Sequence, residues 1–394
     1  MARYLFAWEL GGGAGHWANI YPVAMALINR GHEVFAALRN LNVARVHAAR
    51  PGGIKFLSAP NGRVAIGERV RIPRIYAHIL HNVGWAEPAQ LQILLAAWQN
   101  LYDAVQPDVL ITEHSPTALL AARGRGIRTA NMGTGFFSPP DLASCLDLRP
   151  WFEPAANLKR DEQVLLERVN RIIPSDAKLD RIHQLYTSVD QDILLTFPEL
   201  DHFPMRKQNR NYYGMWNLPS GSPPQWPNSN GPRIFGYLKQ FEALEPLLRH
   251  LSDLEAATVI YAPSVSQQLK HDLANDRLSF AQHRLDLELV SKSCDLAITN
   301  ATAGTVTGML LAGKPCLMVP KYLEQAVFAR RVHAIGAGLN CHESHSEQII
   351  AGLGELLTKP EFSDRAKAFR QKHISYSPQR AIAEIISRLE ALAE

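Results

Sequence analysis

The stretch ELGGGAGHWA, residues 9–18, closes a strand-like run and sets His16 just after four glycines. Glycine lets the backbone approach a ligand closely, and an imidazole near neutral pH can take up and release a proton. A cofactor loop and a catalytic loop both look like this. Residues 13–18, GAGHWA, satisfy G-x-G-x-x-A, a weak dinucleotide signal when it stands alone. A dinucleotide site also needs an acid at the end of the second strand. The chain has LRN there, where Arg39 would suit a 2′-phosphate. Two further groups carry chemistry: Glu113, ending DVLITE beside His114, and the acid–amide pair Glu324 and Gln325.

These residues need a scaffold, and the sequence describes one. RYLFAWEL, EVFAALR, IKFLSAP, DVLITEH and IRTANMG are strand-like, with helical PVAMALINRG, AQLQILLAAWQNLYDAV and ALLAARGRG between them. The strand runs are almost continuously apolar, as in parallel sheets covered on both faces. Residues 206–231 break the rhythm with Pro, Gly, Ser and Asn and are expected to be a linker. Alternation then resumes through RIFGYLK, ATVIYAP, CDLAITN and KPCLMVP, with helical EALEPLLRHL, GTVTGMLLAG and EQAVFARRVHAIG. The expected fold class is α/β, with two Rossmann-like, doubly wound parallel-sheet domains facing across a cleft. Their expected bounds are 1–205 and 232–375, and 376–394 is expected to close the chain as a helix.

The bulk composition agrees with this size and class. The chain has 394 residues, 46% hydrophobic and 20% charged, with a net charge of +4. That charge is too small and diffuse for a nucleic-acid binder. Cys145, Cys294, Cys316 and Cys341 are scattered without CxxC spacing, so neither a disulfide framework nor a zinc site is expected, and a cytoplasmic location fits. The sequence shows no secretory signal pattern and no apolar window of about 18 residues.

Two segments carry a resemblance. GGGAGHWANIYPVAMALINRGHEVFAALR resembles the N-terminal signature of GT-B glycosyltransferases of the UDP-glycosyltransferase type. CDLAITNATAGTVTGMLLAGKPCLMVPKYLEQAVFARRVHAIGAGL resembles their C-terminal donor-binding segment, and PDVLITEHSPTALLAA and NMGTGFFSPP resemble the matching strand ends. The resemblance implies inverting, metal-independent transfer of a sugar from a nucleoside-diphosphate sugar, UDP- or dTDP-linked, to an acceptor hydroxyl. It implies no cofactor beyond that co-substrate, no metal site, and a C-terminal helix, 376–394, that packs back on the first domain.

Roles follow residue by residue. His16 matches the base that deprotonates the acceptor, and Glu113 stands where the family often has the aspartate that orients it. Gly13 and Gly15 would keep the acceptor's approach open, with Trp85, Phe136 and Phe137 lining its pocket. Residues 300–305, NATAGT, match the phosphate loop in altered form. Asn300, Ala301 and Thr302 replace the usual histidine and glycines, while Gly304 and Thr305 remain. A helix starting there would offer its N–H groups and positive dipole end to the diphosphate. Lys239 would face the phosphates, Ser264 the base, and Glu324 with Gln325 the sugar. Gly308 replaces a glutamate that in many relatives grips the ribose. The expected acceptor is a small molecule, lipid or glycan, and the basic run RVRIPR (69–74) leaves room for peripheral membrane contact. Competing readings are a non-catalytic nucleotide-sugar-binding protein, a GT-B epimerase and an NADP-dependent oxidoreductase.

Overall fold

Strand β1 (Arg3–Trp8) presents Tyr4, Leu5, Phe6, Ala7 and Trp8, all without solvent exposure. A strand buried on both faces needs parallel neighbours with helices outside them. The computed structural model supplies them. It describes residues 1–45, 53–142, 145–206, 211–217 and 221–394. The first sheet adds β2 (Glu33–Leu38), β3 (Ile54–Ser58), β4 (Val109–Thr112), β5 (Arg128–Gly133) and β6 (Gln191–Leu194). All pairs are parallel, in the order β3-β2-β1-β4-β5-β6.

The second sheet holds β7 (Arg233–Tyr237), β8 (Ala257–Tyr261), β9 (Leu278–Phe280), β10 (Leu296–Thr299), β11 (Cys316–Met318) and β12 (Gly338–Asn340). Its order is β12-β11-β10-β7-β8-β9, again all parallel. Each sheet reverses its strand order once, between β1 and β4 and between β10 and β7. Open α/β sheets bind ligands at the carboxyl ends of the strands flanking such a reversal. Glu113 follows β4, and Asn300 follows β10. Three of these strands, β6, β9 and β12, have no counterpart among the strand-like runs of the sequence.

The chain divides into two compact units. One comprises Met1–Phe197, Phe203–Gly214 and Ser377–Glu394; the other comprises Pro198–His202 and Met215–Tyr376. The expected boundary at 205 and linker over 206–231 therefore run differently. Leu194 N–H donates to Asn211 O, and Tyr213 N–H donates to Leu194 O, both at 2.9 Å, which holds this stretch on β6. Residues 207–210 and 218–220 of that expected linker lie outside the described residues. The helix Pro378–Ala393 belongs to the first unit, packed on the helix Ala14–Asn29. Tyr4 Oη donates to Leu389 O at 3.3 Å, and Glu390 pairs with Arg30 and His32.

One element starts earlier than the sequence suggests. The first helix runs Ala14–Asn29 and carries Pro22 inside it, with Gly13 as its N-cap at φ 116°. The glycines thus form a helix N-terminus rather than a free loop, and His16 sits in the first turn.

Candidate functional site

His16 and Glu113 converge at the carboxyl ends of β1 and β4. His16 Nδ1 lies 2.5 Å from Glu113 Oε2. Glu113 Oε1 accepts a hydrogen bond of 3.0 Å from Asn19 Nδ2, one turn along the helix that carries His16. The Glu113 side chain is wholly buried, whereas the imidazole keeps 11% of its surface exposed. A buried carboxylate bound on both oxygens has one orientation, so it fixes the proton on Nδ1 and leaves the Nε2 lone pair available. Gly11 (φ 81°) makes room for the Nε2 edge, because a Cβ there would collide with the ring. A Cβ on Gly13 or Gly15 would meet nothing within 4 Å, so the space beside both is open.

The imidazole sits among aromatic rings. Trp8 stacks on it at 5.0 Å and Phe137 tilts against it at 5.2 Å. Phe136 is 3% exposed and packs against Phe137, Tyr76 and Phe203. Trp85 corrects an expectation. It is fully buried and its indole N–H donates to Thr117 Oγ1 at 2.9 Å, which makes it core rather than pocket lining.

In the second unit, the helix Ala303–Leu311 starts just beyond β10, with Thr302 as its N-cap. Its first turn leaves N–H groups without intrahelical partners, the usual anion-binding arrangement. Gly304 and Thr305 lie in that turn, and Ala301 is in the left-handed region at φ 56°. Asn300 is 3% exposed and spends its amide on backbone: Oδ1 accepts from Lys239 N–H at 2.6 Å, and Nδ2 donates to Val319 O at 2.9 Å. It therefore ties together the segments after β7, β10 and β11, where the sequence suggested a direct donor contact.

The Lys239 ammonium lies over the Tyr322 ring at 5.5 Å, and Ser264 is exposed beyond β8. Glu324 and Gln325 open the helix Leu323–Ala334. Glu324 Oε1 is 3.3 Å from Nε2 of the buried His202, and Gln325 Oε1 accepts from Lys321 N–H at 3.0 Å.

Residues 240–380 match the glycosyltransferase family 28 C-terminal domain. No curated protein matches the chain in sequence. Among solved structures, the calicheamicin glycosyltransferase CalG4 superposes with a TM-score of 0.70 at 17% identity, covering 100% of this chain and 99% of its own. The spinosyn rhamnosyltransferase SpnG gives 0.66 at 19%, covering 98% and 100%. The glycosyltransferase VinC, in complex with dTDP, gives 0.63 at 18%, covering 99% of each chain. The fold is GT-B. The stretch that matches the glycosyltransferase family 28 C-terminal domain lies almost wholly in the second unit.

Within this GT-B scaffold, four functional candidates escaped the sequence. Glu9 is 2% exposed and accepts from Ser115 Oγ (3.1 Å), Thr117 N–H (3.0 Å), Thr117 Oγ1 (2.7 Å) and Ala118 N–H (3.3 Å). Burial pushes its carboxyl up to about 7 against the opposing pull of these hydrogen bonds. Asn19 and His202 each hold a carboxylate that the sequence did single out. Asn217 lies over the helix Ala303–Leu311, donating to Gly304 O at 3.1 Å. A Cβ on Gly304 or Gly308 would stand 2.9 or 2.7 Å from its amide, so a longer side chain at 308 would displace Asn217. The Gly-x-x-x-Gly spacing, one face of a helix, was the available signal.

Proposed function

We propose that the chain is an inverting, metal-independent glycosyltransferase that moves a sugar from a nucleoside-diphosphate sugar, dTDP- or UDP-linked, to an acceptor hydroxyl. The observation that carries this reading is the His16–Glu113 pair, with Nδ1 held and Nε2 left as the basic atom. Nε2 takes the proton of the acceptor hydroxyl as its oxygen attacks the anomeric carbon, and Glu113 stabilises the resulting imidazolium. The bond from that carbon to the diphosphate oxygen breaks on the opposite face, and its electron pair leaves with the nucleoside diphosphate. The N-terminus of the helix Ala303–Leu311 takes up that negative charge. Glu324 and Gln325 hold the sugar hydroxyls.

The donor class is supported by the dTDP complexes of VinC and SpnG, and a small-molecule acceptor by the SpnG complex with spinosyn aglycone. The test combines binding and turnover. UDP, dTDP, GDP, ADP and NADP are each added to the protein with EDTA present, and thermal stability is read. A ligand at 100 times its dissociation constant stabilises by about 2.7 kcal/mol. Stabilisation by dTDP or UDP, sugar transfer in EDTA, and loss of transfer in His16→Ala with nucleotide binding kept is the expected result. Stabilisation by NADP alone overturns it in favour of an oxidoreductase. Nucleotide-sugar binding without transfer to any acceptor overturns it in favour of a binding protein.

A further inference from the structure

His114 follows Glu113 directly, yet takes no part in the pair with His16. Its backbone lies in the left-handed region at φ 50°, a conformation that costs a non-glycine residue energy. The residue is 7% exposed, and its ring stacks on Phe137 at 4.1 Å, 6.0 Å from the His16 ring. Phe136 meets it edge-on at 6.5 Å. Among the described residues neither ring nitrogen has a hydrogen-bond partner. A neutral imidazole always carries one N–H donor and one lone pair, so both of its polar functions are buried and unmet. Burial, with His16 and Arg39 nearby, disfavours a charge on this ring, which therefore stays neutral.

Buried polar atoms without partners are rare, and each calls for an explanation. Packing does not supply one here, since a phenyl ring would stack on Phe137 equally well without stranding two nitrogens. The position does. Ring centroids 6.0 Å apart are a separation that hydrogen bonds of about 2.8 Å to neighbouring oxygens of one molecule can bridge.

We infer that His114 is an acceptor-binding residue that hydrogen-bonds a second oxygen adjacent to the hydroxyl deprotonated by His16. This rests on the transferase reading above and narrows its acceptor class to molecules with a vicinal pair of oxygens. His16 handles the reacting hydroxyl, and the uncharged His114 ring holds its neighbour as donor or acceptor without competing for the proton.

The test uses catechol and phenol, which differ by one vicinal hydroxyl, on the wild-type protein and on His114→Phe and His114→Asn. Phenylalanine keeps the stack and removes both nitrogens. Asparagine restores a hydrogen-bonding group and tolerates a positive φ. Protein labelled with 15N-histidine is titrated with each probe, and the ring nitrogens are assigned by their loss in His114→Asn. The expected result is a shift of the His114 nitrogens with catechol and not with phenol. Catechol should also bind His114→Phe at least tenfold more weakly, with partial recovery in His114→Asn. Unshifted His114 nitrogens with catechol overturn the inference, and this readout on the wild-type protein stands whether or not the phenylalanine variant folds. An equal preference for catechol over phenol in wild type and His114→Phe overturns it as well. None of these measurements needs turnover, so failure of the transferase reading would show separately, as absence of sugar transfer by the wild-type protein.

Discussion

Nδ1 of His16 and Oε2 of Glu113 stand 2.5 Å apart although 97 residues separate them in the chain. The contact holds because β1 and β4 are parallel neighbours, with Ala7 level with Thr112, so their carboxyl ends emerge side by side. In Glu113→Gln, the amide oxygen would stay with Asn19 and turn its NH2 toward His16. Nδ1 would then have to accept, which places the proton on Nε2 and removes the base. The expected outcome is a fall in kcat of about 10² to 10⁴ with donor KM nearly unchanged. Steady-state kinetics that show wild-type kcat would contradict the assignment.

Gly11→Ala tests the space behind the same ring. A side chain at φ 81° costs about 1–3 kcal/mol, and its Cβ would press on Nε2. Both Tm and kcat are expected to drop, whereas Gly15→Ala, with nothing within 4 Å, should leave Tm almost unchanged. Equal behaviour of the two variants would refute this account of the loop.

Glu9 gives a pH dependence with a definite sign. Its folded value of about 7 lies above the ordinary 4.5, so the folded protein holds a proton that the unfolded chain has released. Its contribution to stability is whole below about pH 4.5, declines as pH rises to about 7, and levels off above. The span is on the order of 3 kcal/mol. Urea unfolding at pH 5 and pH 8 should show that decline reduced in Glu9→Gln relative to wild type. An identical change in both proteins would be decisive against it.

Asn300→Ala removes the tie between the segments after β7, β10 and β11. It frees the half-buried Lys239 N–H and strands the buried Val319 O, at about 1–3 kcal/mol for the buried group left unpaired. Weaker nucleoside-diphosphate binding by calorimetry and a lower Tm are expected. Unchanged nucleotide affinity would mean that those segments do not shape the donor site.

Much of this architecture was legible because its central strands are long apolar runs, and β1 alone buries five successive side chains. The strands that escaped, β6, β9 and β12, have three or four residues and lie at sheet edges or ends, where pattern is weakest. The helix at Ala14 was hidden because glycines and Pro22 disfavour helix locally, while packing of Trp17, Ile20, Val23 and Leu27 overrides that preference. In the site, His16 and Glu113 stood out by type and position. Glu9 did not, because its partners Ser115 and Thr117 lie more than 100 residues away and nothing local marks it as buried. Trp85 was expected to line the acceptor pocket for its aromatic side chain alone, and its partner Thr117, 32 residues away, is invisible to local pattern.

The bond from Tyr4 to Leu389 spans 385 residues and lies wholly inside the first unit. During synthesis the second unit must therefore emerge before the first can be completed. The helix Pro378–Ala393 then docks on strands that have waited through most of translation with one flank uncovered. Long-range closure of this kind slows folding and prolongs exposure of apolar surface. Cutting the chain at the visible boundary near Ser377 would not release an intact first unit. A fragment meant to isolate it would have to supply that helix again, fused or added as a separate peptide.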